Sequence, residues 1–357
     1  MIGVVLGSVA GIIALAVVSA LTFRRVRQAR VARTLAVDTP TGIAEGRYVK
    51  AGGVDQWIQI RGEDRSNPIL LLVSGAGLPM EPYTPILQPW ERYFTVVFWD
   101  RRGVGRTRGR NGKAGNDTWT FSQLADDGID IVEFLRRHLD HDKVVLVGHS
   151  QGSIVGVTMA QRRPDLFHAY VGTAQIADMA RNEQQTYELA LDRARTAGNS
   201  RAVKGLERVP PPYRDSRSWI NKHRWSFATD PETVAWQKTA PATVLFWPGY
   251  GFADIYRSVL GALFLPPRLF AETMTCTPET LGTRFEMPVL MLHGEADFHT
   301  LPSLAERYLA AMDAPTKEFV RLPDTGHMTL LARPDLFLTE LLTRVRPVIA
   351  TPPATTA

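Results

Sequence analysis

Ser150 lies in a short glycine-flanked segment whose residue types suit a nucleophilic site, Gly148-His149-Ser150-Gln151-Gly152. The apolar run Lys143–Gly148 precedes it, and a helical stretch, Ser153–Arg162, follows it. A strand that turns sharply into a helix strains the residue at the turn, exposes its hydroxyl and leaves room only for small neighbours. We therefore interpret Ser150 as a nucleophile; the alternative is a plain glycine-rich turn.

A serine hydroxyl needs a base to take its proton, and the base needs an acid that orients it. Asp297 follows the strand-like run Pro288–His293, and His327 follows a second strand-like run. Sites in parallel sheets form at the carboxyl ends of the strands. We assign Asp297 as the acid and His327 as the base. Glu295 is the nearest alternative acid, whereas His293 and His299 suit the base less well.

The developing oxyanion needs two backbone N–H donors. Gln151, the residue after the nucleophile, should supply one of them. The loop Ser74–Pro79 follows another buried-type strand and is rich in small residues, so the backbone there can approach a substrate closely. We expect Ala76 to supply the second donor; a plain turn is the alternative.

These residues require a sheet to carry them, and the chain contains the necessary strand patterns. Arg47–Lys50 and Gln56–Ile60 predict a hairpin at a sheet edge. Continuous apolar runs are typical of strands buried on both faces; they are Pro68–Ser74, Phe94–Asp100, Lys143–Gly148, Pro288–His293 and Glu318–Leu322. Helical spacing predicts helices over Phe121–Leu139 and Pro334–Val348.

Alternation of strands and helices indicates an α/β fold with a mostly parallel central sheet and helices on both faces. The alternation stops between residues 176 and 285, where the chain is helical and polar and then rich in aromatic residues. We interpret this part as an inserted helical cap. The predicted organisation is a core of residues 45–175 and 286–349, a cap of 176–285 and a disordered tail of 350–357.

The N-terminal segment Ile2–Phe23 contains 22 uncharged residues. As a helix it would span about 33 Å, enough to cross a bilayer. A signal peptide cleaved near Val18–Ala20 and a buried helix are the alternatives. Because the arginines follow the apolar run, we expect a transmembrane anchor at residues 1–23, a basic juxtamembrane linker at 24–44 and a cytoplasmic catalytic domain.

Charge and composition exclude several classes of function. Five arginines and no acidic residue lie in residues 1–33, so the remaining 36 basic residues are balanced by 36 acidic ones. The globular part therefore has no general basicity suited to nucleic acid. The single cysteine, Cys276, allows no internal disulfide. No metal-ligand spacing, phosphate loop or dinucleotide motif is visible, so we expect neither a metal nor another cofactor.

The motifs resemble the α/β-hydrolase superfamily, and within it the proline iminopeptidase-like branch (peptidase family S33), over roughly residues 45–345. Besides GHSQG, Trp99–Thr107 (WDRRGVGRT) is similar to the D-Q-R-G-x-G-x-S segment of that branch. The loop Ser74–Leu78 (SGAGL) departs from the usual H-G-G-P-G, and Gln151 stands where Trp is common. The resemblance implies the fold and the triad more firmly than aminopeptidase specificity.

The predicted reaction is hydrolysis of an ester or an N-terminal peptide bond in a small molecule or short peptide, through an acyl-enzyme, with a proline iminopeptidase-like aminopeptidase as the leading specific expectation. A carboxylesterase or lipase-like activity and a non-catalytic binding protein of the same fold are the alternatives. The resemblance implies that cap glutamates hold a substrate amine, with Glu183 as one candidate; Trp236 is a second candidate binding residue. We expect the basic segment Arg101–Lys113 to be a solvated loop with Arg102 held by internal hydrogen bonds; attraction of an anionic substrate is the alternative.

Overall fold

A computed structural model describes residues 2–75, 77–112 and 119–350, apart from the side chains of residues 2–7, 264–266 and 350. Eight strands form one sheet in the order β1-β2-β4-β3-β5-β6-β7-β8. β1 and β2 form the predicted antiparallel hairpin, β2 pairs antiparallel with β4, and the other neighbours are parallel. The strands are β1 Ile43–Ala51, β2 Val54–Gly62, β3 Ile69–Val73, β4 Thr95–Asp100, β5 Val144–His149, β6 Phe167–Thr173, β7 Val289–Gly294 and β8 Lys317–Leu322.

The α-helices follow in chain order. They are α1 Ile2–Thr34, α2 Thr84–Leu87, α3 Gly105–Asn111, α4 Phe121–Leu139, α5 Gln151–Arg162, α6 Met179–Thr196, α7 Ser200–Glu207, α8 Ser216–Ala228, α9 Pro231–Leu245, α10 Phe252–Met274, α11 Pro278–Leu281, α12 Pro302–Ala311, α13 Thr329–Ala332, α14 Pro334–Glu340 and α15 Arg346–Ala350. A π-helical turn, Leu341–Val345, joins the last two, and short 3₁₀ turns cover Glu81–Tyr83, Gln88–Arg92 and Pro164–Leu166.

Buried apolar runs build the centre of the sheet. Every residue of β3, β4, β5 and β7 is buried, because helices cover both faces. One apolar layer includes side chains of α4, α5 and α12, and a second layer on the opposite face includes Trp90 and Phe337. The predicted fold class is therefore confirmed. The sequence patterns did not reveal β6, since Phe167–Thr173 (FHAYVGT) mixes polar and apolar residues.

Residues 176–285 are all described, and they contain the six helices α6 to α11 and no strand. They leave the sheet after β6 and return to it at β7. Side chains capable of hydrogen bonding cap several of these helices; Asp178, Asn199, Asp215 and Asp230 accept bonds from backbone N–H groups of their own first turns. Residues 176–285 are thus a helical segment in which side chains cap the N-termini of at least four of the six helices.

The N-terminal helix is long and exposed. Within the described residues, Ser8–Thr34 is the one helix apolar and long enough to cross a membrane, and only 6% of its apolar window is buried. Residues 24–34, which the sequence predicts as linker, continue α1 and dock on the cap. Arg24 donates to the carbonyls of Leu245 (3.0 Å) and Tyr250 (2.6 Å), so a cation lies at the C-terminal end of α9.

The basic segment Arg101–Lys113 is not the solvated loop that the sequence suggests. Arg101 is fully buried, and Arg102 forms a bidentate ion pair with Asp127 of α4 at 2.9 Å for both bonds. α3 occupies much of the remainder, and Lys113 lies outside the described residues. Arg102 is held by internal hydrogen bonds, as expected, because α4 offers the buried carboxylate of Asp127.

Candidate active site

Ser150 occupies the turn between β5 and α5. Its backbone has φ +53° and ψ −128°, a conformation that residues other than glycine rarely adopt. Its neighbours must be small, since a Cβ added to Gly152 would lie 2.0 Å from the Val73 carbonyl oxygen and one on Gly148 would lie 2.8 Å from Ser153 Cα. The strained turn therefore holds the hydroxyl at the end of the sheet.

His327 and Asp297 meet Ser150 at this end of the sheet. Nε2 of His327 lies 3.2 Å from Ser150 Oγ, and Nδ1 lies 3.1 Å from Asp297 Oδ2. Loops after β7 and β8 carry the two residues, as the sequence predicts. His327 can therefore take the proton of the serine hydroxyl, and Asp297 can orient and stabilise the ring that receives it.

The Asp297 carboxylate is almost fully buried and well supplied with donors. Its Oδ1 accepts bonds from the backbone N–H groups of His299 (2.8 Å) and Thr300 (2.9 Å), and its Oδ2 accepts one from Thr300 Oγ1 at 2.7 Å. Burial raises the pKa of the Asp297 carboxyl, but the rings of His327, His293 and His299 together outweigh burial and hold the pKa well below its usual range. Asp297 is therefore ionised at neutral pH.

The pKa of His327 shifts in the opposite direction to that of Asp297. Burial lowers the pKa of His327, but the carboxylates of Asp297, Glu232 and Asp230 together outweigh it and raise the pKa above the ordinary histidine value. His149 is buried, and burial lowers its pKa to about 4, so its ring is neutral. Nε2–H of His149 donates to the His327 carbonyl at 3.0 Å. This predicted residue of the turn therefore holds the backbone of the base.

The two predicted oxyanion donors differ in what the structure describes. Gln151 is the first residue of α5, so its N–H has no acceptor within the helix. Its side chain donates from Nε2 to Thr273 Oγ1 of α10 at 3.2 Å. Ala76 lies outside the described residues. The adjacent Gly75 approaches closely, since an added Cβ would lie 2.7 Å from Ser150 Cβ.

The candidate binding residue Glu183 is buried in the cap and paired there. Its Oε2 lies 2.8 Å from Nζ of Lys222, and its Oε1 lies 3.4 Å from Nε2 of His223. Burial raises the pKa of Glu183, but Lys222 and His223 outweigh it and hold the pKa far below its usual range. The rings of Phe227 and His299 lie between His223 and His327. The charge of Glu183 is therefore balanced within the cap, and aromatic rings separate this residue from His327.

The other candidate binding residue, Trp236, is half-buried on α9. It stacks on Tyr83 with ring centroids 6.3 Å apart. On the same helix, Glu232 contacts the loop that carries His327, a contact that the sequence patterns did not reveal. Glu232 follows Asp230 and Pro231 and looks like an ordinary first-turn acid, so no local signal distinguishes it.

Among the described residues, no group of three His, Cys, Asp or Glu side chains is arranged to hold a metal ion. The polar groups at the site suit nucleophilic attack assisted by proton transfer. The arrangement of Ser150, His327 and Asp297 is of the kind that acyl transfer to a serine uses.

The fold and the site define an α/β-hydrolase, and the family comparison agrees: the chain belongs to the alpha/beta hydrolase family, whose model matches residues 70–340. The chain is thus a hydrolase. It is 25% identical over 310 residues to "Probable aminopeptidase YbaC" of Bacillus subtilis (strain 168), covering 85% of this chain and 97% of that protein.

Two solved structures share the fold. A membrane phospholipase A described as a bacterial virulence factor has a TM-score of 0.63 and 17% identity, covering 96% of this chain and 99% of that one. A proline iminopeptidase-related protein of Thermus thermophilus has a TM-score of 0.58 and 18% identity, covering 86% and 99%. With the family match, these relatives support the predicted resemblance to an α/β-hydrolase with features of the proline iminopeptidase-like branch.

Proposed function

We propose that this chain is a serine hydrolase, held in a membrane by α1, that cleaves carboxylic esters of apolar, lipid-like substrates. Ser150, His327 and Asp297 act as nucleophile, base and orienting acid. The N–H groups of Gln151 and Ala76 bind the oxyanion. The arginines after the apolar segment favour a catalytic domain on the cytoplasmic face.

The reaction proceeds in two halves. Ser150 Oγ attacks the ester carbonyl carbon while His327 Nε2 takes the hydroxyl proton, and the carbonyl oxygen becomes the oxyanion. The carbon–oxygen bond to the leaving group then breaks, and His327 returns its proton to the departing alkoxide. Water then attacks the acyl carbon while His327 takes one of the water protons. The bond from the acyl carbon to Ser150 Oγ breaks, His327 returns the proton to Oγ, and a carboxylic acid leaves.

One observation carries the choice of an apolar substrate: an exposed stripe on α10. Phe252, Tyr256, Val259 and Leu263 lie on one helical face and are each between 52% and 64% exposed. A contiguous exposed apolar face is uncommon unless it meets a membrane or a partner. We infer that this stripe faces the bilayer.

The N-terminal end of the stripe, at Phe252, contacts α1. Near the other end of the stripe, α10 passes over the loop that follows β3. The Arg24 guanidinium lies 4.6 Å above the Phe252 ring. On the opposite face of α10, an added Cβ on Gly261 would lie 2.9 Å from the Gly77 carbonyl in the candidate oxyanion loop. A helix that touches the bilayer on one side and roofs the reaction centre on the other favours entry of apolar molecules from the membrane.

The comparison with the membrane phospholipase A is consistent with this proposal. Its likeness covers 96% of this chain, a share too large to leave out α1, which has 33 residues. At 17% identity the likeness concerns the fold and not the substrate. It supports an architecture in which an N-terminal helix accompanies a capped hydrolase.

The second candidate function is cleavage of an N-terminal peptide bond, which the likeness to the probable aminopeptidase along 97% of its length favours. An aminopeptidase needs an uncompensated acidic group to hold the substrate's ammonium. Glu183 already lies 2.8 Å from Lys222, so it is poorly suited to that task. We therefore rank ester hydrolysis first.

The test uses the full chain in detergent or in lipid vesicles. A fluorophosphonate should label the wild-type chain and the matched control Ser200→Ala, but not Ser150→Ala. Nitrophenyl esters of increasing acyl length are then compared with prolyl and alanyl anilides. We expect turnover of the longer esters. Equal labelling of all three proteins would refute the serine mechanism, and turnover of anilides alone would replace the esterase by the aminopeptidase.

A further inference from the structure

Glu232 of the cap accepts hydrogen bonds from the backbone on both sides of His327. Its Oε1 accepts a hydrogen bond from the Gly326 N–H at 2.9 Å, and its Oε2 accepts one from the Met328 N–H at 2.8 Å. Hydrogen bonds to an ionised acceptor are stronger than neutral ones. One carboxylate therefore fixes two backbone groups that flank the base.

The remaining contacts of this loop leave its backbone little freedom. His149 donates to the His327 carbonyl, so three consecutive residues are held by side chains from elsewhere in the fold. A Cβ added to Gly326 would lie 2.8 Å from Glu232 Oε2, so the close approach depends on glycine. The position of the His327 ring is thus set by partners outside its own loop.

The start of α9 also touches the loop that carries the acid. Asp230 Oδ2 lies 3.3 Å from Nε2 of His299, and the His299 N–H donates to Asp297. Two acidic residues at the beginning of one cap helix therefore contact the loops of both the base and its orienting acid.

We propose that Glu232 is a positioning residue that holds His327 within reach of both Ser150 and Asp297, so that the seated cap helix α9 completes the active site. This inference rests on the serine-hydrolase function proposed above. The distances at stake are 3.2 Å from His327 to Ser150 and 3.1 Å to Asp297. A displacement of about 1 Å at such a base can lower turnover about a hundredfold.

Glu232 also contributes negative charge beside His327. The charges of Asp297, Glu232 and Asp230 all raise the pKa of His327. Several neutral or weakly basic rings share this environment. The titratable groups that interact with His327 are Asp297, Asp230, Glu232, His149, His293, His299 and His223. Removing the charge at Glu232 alone should lower the pKa of His327, because one of the negative charges that stabilise the protonated ring is lost while the other groups stay in place.

The test compares Glu232→Gln and Glu232→Asp with Glu279→Gln, which removes a carboxylate from the exposed first turn of another cap helix. Competent sites are counted by fluorophosphonate titration, and kcat, KM and the pH profile of kcat/KM are measured on a nitrophenyl ester. Aspartate keeps the charge but is too short to reach both N–H groups, whereas glutamine loses the charge.

For both Glu232 variants we expect kcat per titrated site to fall roughly tenfold to a hundredfold with little change in KM. The acid limb of the profile should move to lower pH in Glu232→Gln and stay near the wild-type position in Glu232→Asp. Glu279→Gln should match the wild type in every measurement.

Wild-type kcat per titrated site in both Glu232 variants would overturn the proposal, even if they yield less folded protein, because Glu232 would then serve folding alone. An unchanged acid limb in Glu232→Gln would refute the claim that the charge of Glu232 raises the pKa of His327. If the wild-type chain itself takes no label, the serine mechanism fails, and that result is distinct from either of these.

Discussion

Asp297 and His327 lie on different loops, yet Oδ2 of Asp297 is 3.1 Å from Nδ1 of His327. Their mutual influence lowers the pKa of the carboxyl and raises that of the ring. An ionised acid beside a ring of raised pKa stabilises the imidazolium that forms when the base takes a proton.

Asp297→Asn should lower kcat about ten-thousandfold, as loss of the orienting acid does in triads of this kind. The sign of the pH effect follows from the pKa of His327. The base must be neutral to act, and Asp297 raises its pKa, so the wild-type acid limb should lie above the ordinary histidine value near 6.5. In Asp297→Asn the limb of kcat/KM should move to lower pH. A limb that stays in place would show that Asp297 does not govern the base.

Gly75→Ala should damage the site more than the fold. The new Cβ would lie 2.7 Å from Ser150 Cβ and 3.1 Å from Ser150 Oγ, so the nucleophile must move. We expect kcat to fall about a hundredfold or more and stability to fall by about 1–3 kcal/mol. Gly251→Ala is the matched control, because that glycine is exposed, has φ −84° and has its nearest neighbour at 3.6 Å. Equal kcat in the two variants would contradict the close approach at Gly75.

Lys222→Met should destabilise the cap by about 3–5 kcal/mol, since it leaves the buried Glu183 carboxylate without its cation. The double variant Glu183→Gln, Lys222→Met should recover part of that loss, which urea unfolding of the full chain in detergent can measure. Turnover of alanyl or prolyl anilides appearing in Lys222→Met alone would instead show that a freed Glu183 can hold a substrate amine, and would favour the aminopeptidase.

Tyr256→Glu, Val259→Glu should weaken the proposed contact between α10 and the bilayer. Burial of each side chain contributes about 1–3 kcal/mol, so hydrolysis of an ester embedded in vesicles should fall roughly tenfold or more. Hydrolysis of a short soluble ester should not change. Leu189→Glu, which alters an exposed leucine on α6, is the control. A parallel fall on both esters would mean that the stripe supports folding and not membrane contact.

Much of the core could be predicted because its signals are local. Continuous apolar runs mark strands buried on both faces, and α4 coincides with the helix expected over Phe121–Leu139. β6 was missed because His168, Gly172 and Thr173 interrupt its apolar character, and only pairing with β5 and β7 makes it a strand. Residues 24–34 of the predicted linker are helical in the structure, and Arg24 there contacts the cap at Leu245, a pairing that local patterns do not encode.

The sequence by itself determined seven of the eight strands, the strained turn at Ser150 and the order of serine, aspartate and histidine, because short-range patterns and turn chemistry encode them. Tertiary structure alone decided which groups support or neutralise one another. Glu232 meets the backbone beside His327 across 94 residues, and Glu183 meets Lys222 on another helix. Such pairings have no local signature, since they depend on how separate helices pack.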